Sequence, residues 1–130
     1  MAYFKWEADL DVYVEKMNDQ HKHLIGLMET LYQVNESGSG KEAVIDAVKN
    51  LMDYVVIHFR DEEAHMEAIN FHGVEAHKQI HQHLLDDLNK FAKDFVVGDE
   101  KKLSGEFMAF LSLWINVHIV AIDTKYSADD

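Results

Sequence analysis

The residues of this 130-residue chain with the clearest chemical potential are histidines and carboxylates at helical spacing. In His58-Phe59-Arg60-Asp61-Glu62 an imidazole and a carboxylate stand four residues apart, so on a helix both project from one face and make half a metal site. Arg60 and Asp61 are expected to face elsewhere. His77 and His81 repeat the spacing, His118 and Asp123 pair another imidazole with another acid, and His21 stands alone near the start. The chain has 9 histidines and no cysteine, which excludes disulfides, thiolate metal sites and thiol catalysis.

These side chains need elements that aim them at one another. Residues 1–17 read as an extended arm that lays Phe4 and Trp6 on the core, with Asn18 or Asp19 capping a first helix. Leu24, Ile25, Met28, Leu31 and Tyr32 recur at helical spacing after His21 and place that histidine on the buried face; the helix is expected to end at the Glu36-Ser37-Gly38-Ser39-Gly40 loop. Ser39 and Glu42 have the form of a capping box opening a second helix. Its apolar stripe (Val44, Ala47, Val48, Leu51, Tyr54, Val55, Phe59, Met66) includes His58 and Glu62, and it should stop near Asn70-Phe71-His72-Gly73.

A third helix is predicted over 74–97, with His77, Ile80, His81, Leu84, Leu85, Leu88, Phe91 and Phe95 inward and Gly98 at C′. A fourth is predicted over about 101–118, with Leu103, Phe107, Phe110, Leu111, Trp114 and His118 inward. Five further residues of regular helix would turn Asp123 roughly 140° away from His118, so a break and a short terminal turn are expected between them. The expected fold is all-α: an up-down-up-down antiparallel four-helix bundle, with an extended N-terminal arm (1–17), the bundle over 18–126 and a short C-terminal helical turn, in one domain spanning 1–130.

Composition narrows the partners. With 24 acidic against 12 basic residues the net charge is -12, which offers no basic stripe for nucleic acid or an anionic membrane. No N-terminal apolar leader and no apolar run approaching the roughly 20 residues that span a bilayer is present, so a cytoplasmic location is the expectation.

Five histidines and a carboxylate on otherwise apolar faces are the feature that favours a metal over ordinary core packing, because ionisable groups are seldom buried without partners. Seven candidate ligands exceed what zinc takes, and imidazole does not suit Ca²⁺ or Mg²⁺. Two six-coordinate ions would use the five histidines singly, two carboxylates as bridges and one shared oxo or hydroxo group, leaving one position open. Mixed imidazole and carboxylate ligation suits iron, and manganese or another first-row metal is also compatible. The other histidines are expected off the site: His23 and His83 lie off-face and His72 in a loop, while Glu62-x-x-His65 resembles a carboxylate-rich di-iron motif but has no second copy.

Four segments together resemble the hemerythrin family, and its stand-alone bacterial members most closely. They are Trp6 with Asp19-Gln20-His21, His58-Phe59-x-x-Glu62-Glu63-x-x-Met66, His77-x-x-x-His81, and Trp114-x-x-x-His118-Ile119-x-x-x-Asp123-x-Lys125-Tyr126. The resemblance implies two non-haem irons bridged by oxo or hydroxo, Glu62 and Asp123, with His77, His81 and His118 on a saturated iron and His21 and His58 on an open one. It further implies reversible O2 binding at the open iron for storage, transport or delivery, rather than catalysis, and by matching position it makes Leu24, Phe59, Trp114, Ile115 and Val120 candidates for the O2 pocket wall. An O2 or redox sensor acting through a partner protein, and a di-iron oxidase or peroxidase, are the alternatives.

Overall fold

The structure is a computed structural model and describes residues 4–99, 102–114 and 118–119. Four helices follow a short 3-10 turn at Ala8–Leu10: α1 Glu15–Glu36, α2 Lys41–Ala68, α3 Val74–Val97 and α4 Gly105–Leu113. Beyond α4, Trp114, His118 and Ile119 lie in wider π-helical turns. No strand occurs among the described residues. The short connections at 37–40 and 69–73 make α1, α2 and α3 antiparallel neighbours of an all-α four-helix bundle.

Helices α1, α2 and α3 form because their apolar residues recur on one face, and the buried residues follow that face closely. On α2 these are Val44, Ala47, Val48, Leu51, Val55, His58, Phe59, Glu62 and Met66, the expected stripe with Tyr54 half-buried. On α1 they are Met17, His21, Leu24, Ile25, Met28, Leu31 and Asn35. On α3 His77, His81, Leu88 and Phe95 are buried, with Ile80, Leu84, Leu85 and Phe91 half-buried.

Helix ends depart from expectation in instructive ways. Helix α1 starts at Glu15, ahead of the Asn18 or Asp19 expected to cap it. Asn18 lies inside the first turns, and its side chain reaches back instead, accepting from the Val12 N–H at 3.0 Å and donating to Asp11 at 2.7 Å. The Ser39/Glu42 capping box does not form: Gly40 is the N-cap, no side chain caps α2, and the Ser39 hydroxyl pairs with Ser37 at 2.6 Å. Gly98 ends α3 as its C-cap in extended backbone rather than as a left-handed C′ residue; a Cβ there would lie 2.9 Å from the Asp94 carbonyl oxygen. Helix α4 starts at Gly105 rather than near 101, because the Ser104 side chain accepts from the Phe107 N–H at 3.2 Å and sets the cap. The expected break before Asp123 and the terminal turn lie outside the described residues.

The end of α2 matters most for the site. Asn70 adopts a left-handed φ of 56°, and the Phe71 and Asn70 N–H groups return to the carbonyls of Met66 and Glu67 at 2.9 and 3.1 Å, a Schellman closure. This folds Phe71 against Met66, Met17 and Val12 in a small apolar cluster separate from the main core. Position 73 is glycine because a Cβ would press to 2.8 Å from the Phe71 ring. Along α1 and α2, His21, His58 and Glu62 fall between this cap and the main core of Leu24, Met28, Leu51, Val55, Phe59, Leu88 and Trp114. A polar layer is thus closed above and below by apolar side chains. The N-terminal segment covers the core as expected, with Phe4 and Leu10 buried and Trp6 packed against them.

Candidate metal centre

Glu62 is fully buried at the centre of that layer. Its Oε1 lies 3.2 Å from His77 Nε2 and 2.8 Å from His81 Nε2, and its Oε2 lies 3.2 Å from His21 Nε2 and 3.4 Å from His58 Nε2. One carboxylate therefore faces two histidine groups, one through each oxygen. Glu62, His77, His81 and His118 form one compact donor set and His21, His58 and Glu62 another, with the donor atoms of each set within 4.8 Å of one another. All six residues are at most 3 % exposed.

The set fits a pair of cations better than a hydrogen-bonded core. Ligands at right angles on an ion with bonds of about 2.1 Å stand about 3 Å apart, the spacing found between the Glu62 oxygens and the imidazole nitrogens. The outer nitrogens explain why protons are a poor substitute. His81 Nδ1 lies 2.8 Å from Glu63 Oε2; a carboxylate only accepts, so Nδ1 carries the hydrogen. In the neutral ring Nε2 is then a bare lone pair pointing at Glu62 Oε1. His58 is held in the same sense: Gln20 donates its amide N–H to Asp61 Oδ2 at 2.8 Å, which leaves its oxygen to accept from His58 Nδ1, also at 2.8 Å. Lone pairs facing carboxylate oxygens across a dry interior call for positive charge between them.

With no cation in place, burial pushes the Glu62 carboxyl up, and protons on the imidazoles, as charge on His58 and hydrogen bonds from His21, His58 and His77, would outweigh it and hold Glu62 well below the usual carboxylate range; the neutral rings set by Gln20 and Glu63 leave that positive charge to a metal. Ring packing fixes the imidazoles. Phe59 stacks on His81 with ring centroids 3.7 Å apart and planes 4° from parallel, and its ring lies 5.4 Å from Trp114 and 6.1 Å from His118. His118 in turn stands 5.1 Å from His77 and 5.2 Å from His81.

Of the seven sequence-identified ligand candidates, His21, His58, Glu62, His77, His81 and His118 come together; Asp123 lies outside the described residues. Leu24, Phe59 and Trp114 are buried in one core cluster, and Ile115 and Val120 lie outside the described residues. His23, His72 and His83 are exposed, His23 resting on Tyr54, and His65 belongs to neither donor set. Gln20, Asp61 and Glu63 gained no role from sequence, and Asp61, expected to face away, reaches the centre through Gln20. The available signal was their flanking position on the ligand helices, next to His21 or to Glu62.

A family model described as hemerythrin HHE cation binding domain matches residues 12–128. The chain belongs to the hemerythrin family. Among its relatives are a hemerythrin-like protein of Naegleria gruberi, 32% identical over 95% of this chain and 90% of its own length, and a bacteriohemerythrin of Pseudomonas paraeruginosa (strain DSM 24068 / PA7), 28% identical over 97% of this chain and 80% of its own length. The crystal structure of a wild-type hemerythrin superposes with a TM-score of 0.88 at 26% identity, covering 98% of this chain and 97% of that one. A hemerythrin domain implies O2 binding at a non-haem di-iron centre, and the buried histidine and glutamate layer is where this hemerythrin chain can hold it.

Proposed function

We propose that this hemerythrin binds O2 reversibly, for storage, transport or delivery, with His77, His81 and His118 holding one iron, His21 and His58 the other, and Glu62 bridging them. Asp123 is the proposed second bridge, by its place in the family pattern. The observation that carries the reading is the division of the two Glu62 oxygens between the two histidine groups. When bound, the iron pair supplies the two electrons that reversible O2 uptake draws on.

The protein side chains do the rest. With three histidines to hold one ion and two to hold the other, the His21 and His58 side would be the less crowded and would take the gas. Phe59 locks the His81 ring by stacking and, with Leu24 and Trp114, forms a dry wall that keeps water and larger reactants out; Ile115 and Val120 are proposed to complete it. Five histidines to one carboxylate in the described clusters favour binding over oxidase chemistry, which relies on more anionic ligand sets. Among the described residues no helix is long and apolar enough to cross a membrane.

The test is optical. Anaerobically reduced, iron-loaded protein should gain a visible band with O2 and lose it on purging, over repeated cycles. His58→Ala should keep its helical content and lose the reversible band. A His58→Ala protein that still cycles would overturn the assignment of the open position, and steady consumption of a reductant by the wild type would favour an enzyme.

A further inference from the structure

The two donor sets differ in what stands behind one histidine of each, His81 and His58. Behind His81 is a carboxylate, Glu63, whose side chain is 27% exposed. Behind His58 is the neutral amide of Gln20, itself oriented by Asp61, which Lys16 and Arg60 approach at 3.8 and 3.7 Å from the solvent side. Gln20 spans from α1 to α2, so the contact arises only from the packing of those helices. Both partners accept from Nδ1 and so leave Nε2 as the donor to a metal, but they do so unequally: a carboxylate draws the shared hydrogen away and makes the imidazole the stronger donor, and an amide does so much less.

We infer that Gln20, oriented by Asp61, and Glu63 are positioning residues that fix the Nδ1–H tautomers of His58 and His81 and make the two metal positions unequal, the His58 position being the weaker. The inference rests on the two-metal reading above. It makes the open position weak by construction. One of its two imidazoles, His58, is held by a neutral group, while the outer charge of Asp61 is spent on aligning the amide. The Asp61–Gln20–His58 chain also links a partly exposed carboxylate to a buried ligand, so a change at Asp61 reaches the His58 position first.

The experiment is anaerobic titration of the metal-free protein with Co(II), read by its visible absorption, together with long-range proton–nitrogen spectra of the histidine rings at mildly alkaline pH. The wild type should bind in two steps, and metal-free His58 and His81 should both appear as Nδ1–H tautomers. Gln20→Ala should weaken the second step by roughly 10–100-fold, leave the first unchanged and release His58 to the Nε2–H tautomer. Asp61→Asn, which preserves shape, should give the same pattern with a smaller loss. Glu63→Gln should weaken the first step and leave the second. If Gln20→Ala weakens both steps alike, or neither, or leaves the His58 tautomer unchanged, the inference is overturned. Failure of the wild type to bind a second Co(II) would instead overturn the two-metal reading itself.

Discussion

Helix α2 carries one buried stripe made of two unlike halves. From Val44 to Val55 it is aliphatic, and Leu51 and Val55 are wholly excluded from solvent. From His58 to Glu62 it is equally buried, at 1 % and 0 %, but ionisable. Geometry and burial are the same, and the energetics are opposite. The first half gains about 25 cal/mol for each Å² of apolar surface removed from water. The second loses the hydration of a carboxylate and its imidazoles, a loss that hydrogen bonds offset only in part and that bound cations would offset further. One end of the helix holds the bundle together and the other holds chemistry, so substitutions should separate the two.

The largest effect is expected at Glu62, the residue common to both donor sets. Glu62→Ala should reduce retained iron by more than about tenfold, measured as metal content after desalting, with circular dichroism still helical. Second, Leu51→Ala should cost about 2–5 kcal/mol in urea denaturation while iron per folded chain stays the same. Third, chelation of the loaded protein should remove about 3 kcal/mol for each ion held at a hundredfold excess over its Kd. Hydrogen exchange should then rise around His58–Met66 and His77–His81 and change little over Val44–Val55, and a uniform rise would erase the distinction between the halves. The smallest effect is expected at Val56, which is 55% exposed between the halves: Val56→Lys should shift stability by no more than about 0.5 kcal/mol and leave iron content alone.

The same contrast explains what the sequence could reveal. The α3 boundaries at 74 and 97 and the α2 stripe were readable because apolar residues recur with the helical period and ionisable residues interrupt them at i,i+4 positions. That periodicity also exposed His58, Glu62, His77 and His81 as misplaced for a simple core. Local motifs were weaker guides. Ser39 had the spacing of a cap, but the chain satisfied it through Ser37, and Asn18 had the chemistry of a cap but uses it inside the helix. The groups behind the ligands were the least legible. Gln20 meets His58 across 38 positions of sequence, and Glu63 meets His81 across 18, so only the packed bundle brings them together. Nor does periodicity divide the histidines into two groups, since that division arises at the two oxygens of a single carboxylate.

This buried layer is proposed to hold a pair of irons acting as one O2 site. Its most direct measurement is the ratio of O2 taken up to iron bound, by anaerobic titration of reduced protein with O2-saturated buffer followed by purging and recovery of the gas. About two irons per chain and about one O2 for each pair, released when the gas phase is exchanged, are expected. One iron per chain, or O2 consumed with none recovered, would contradict it.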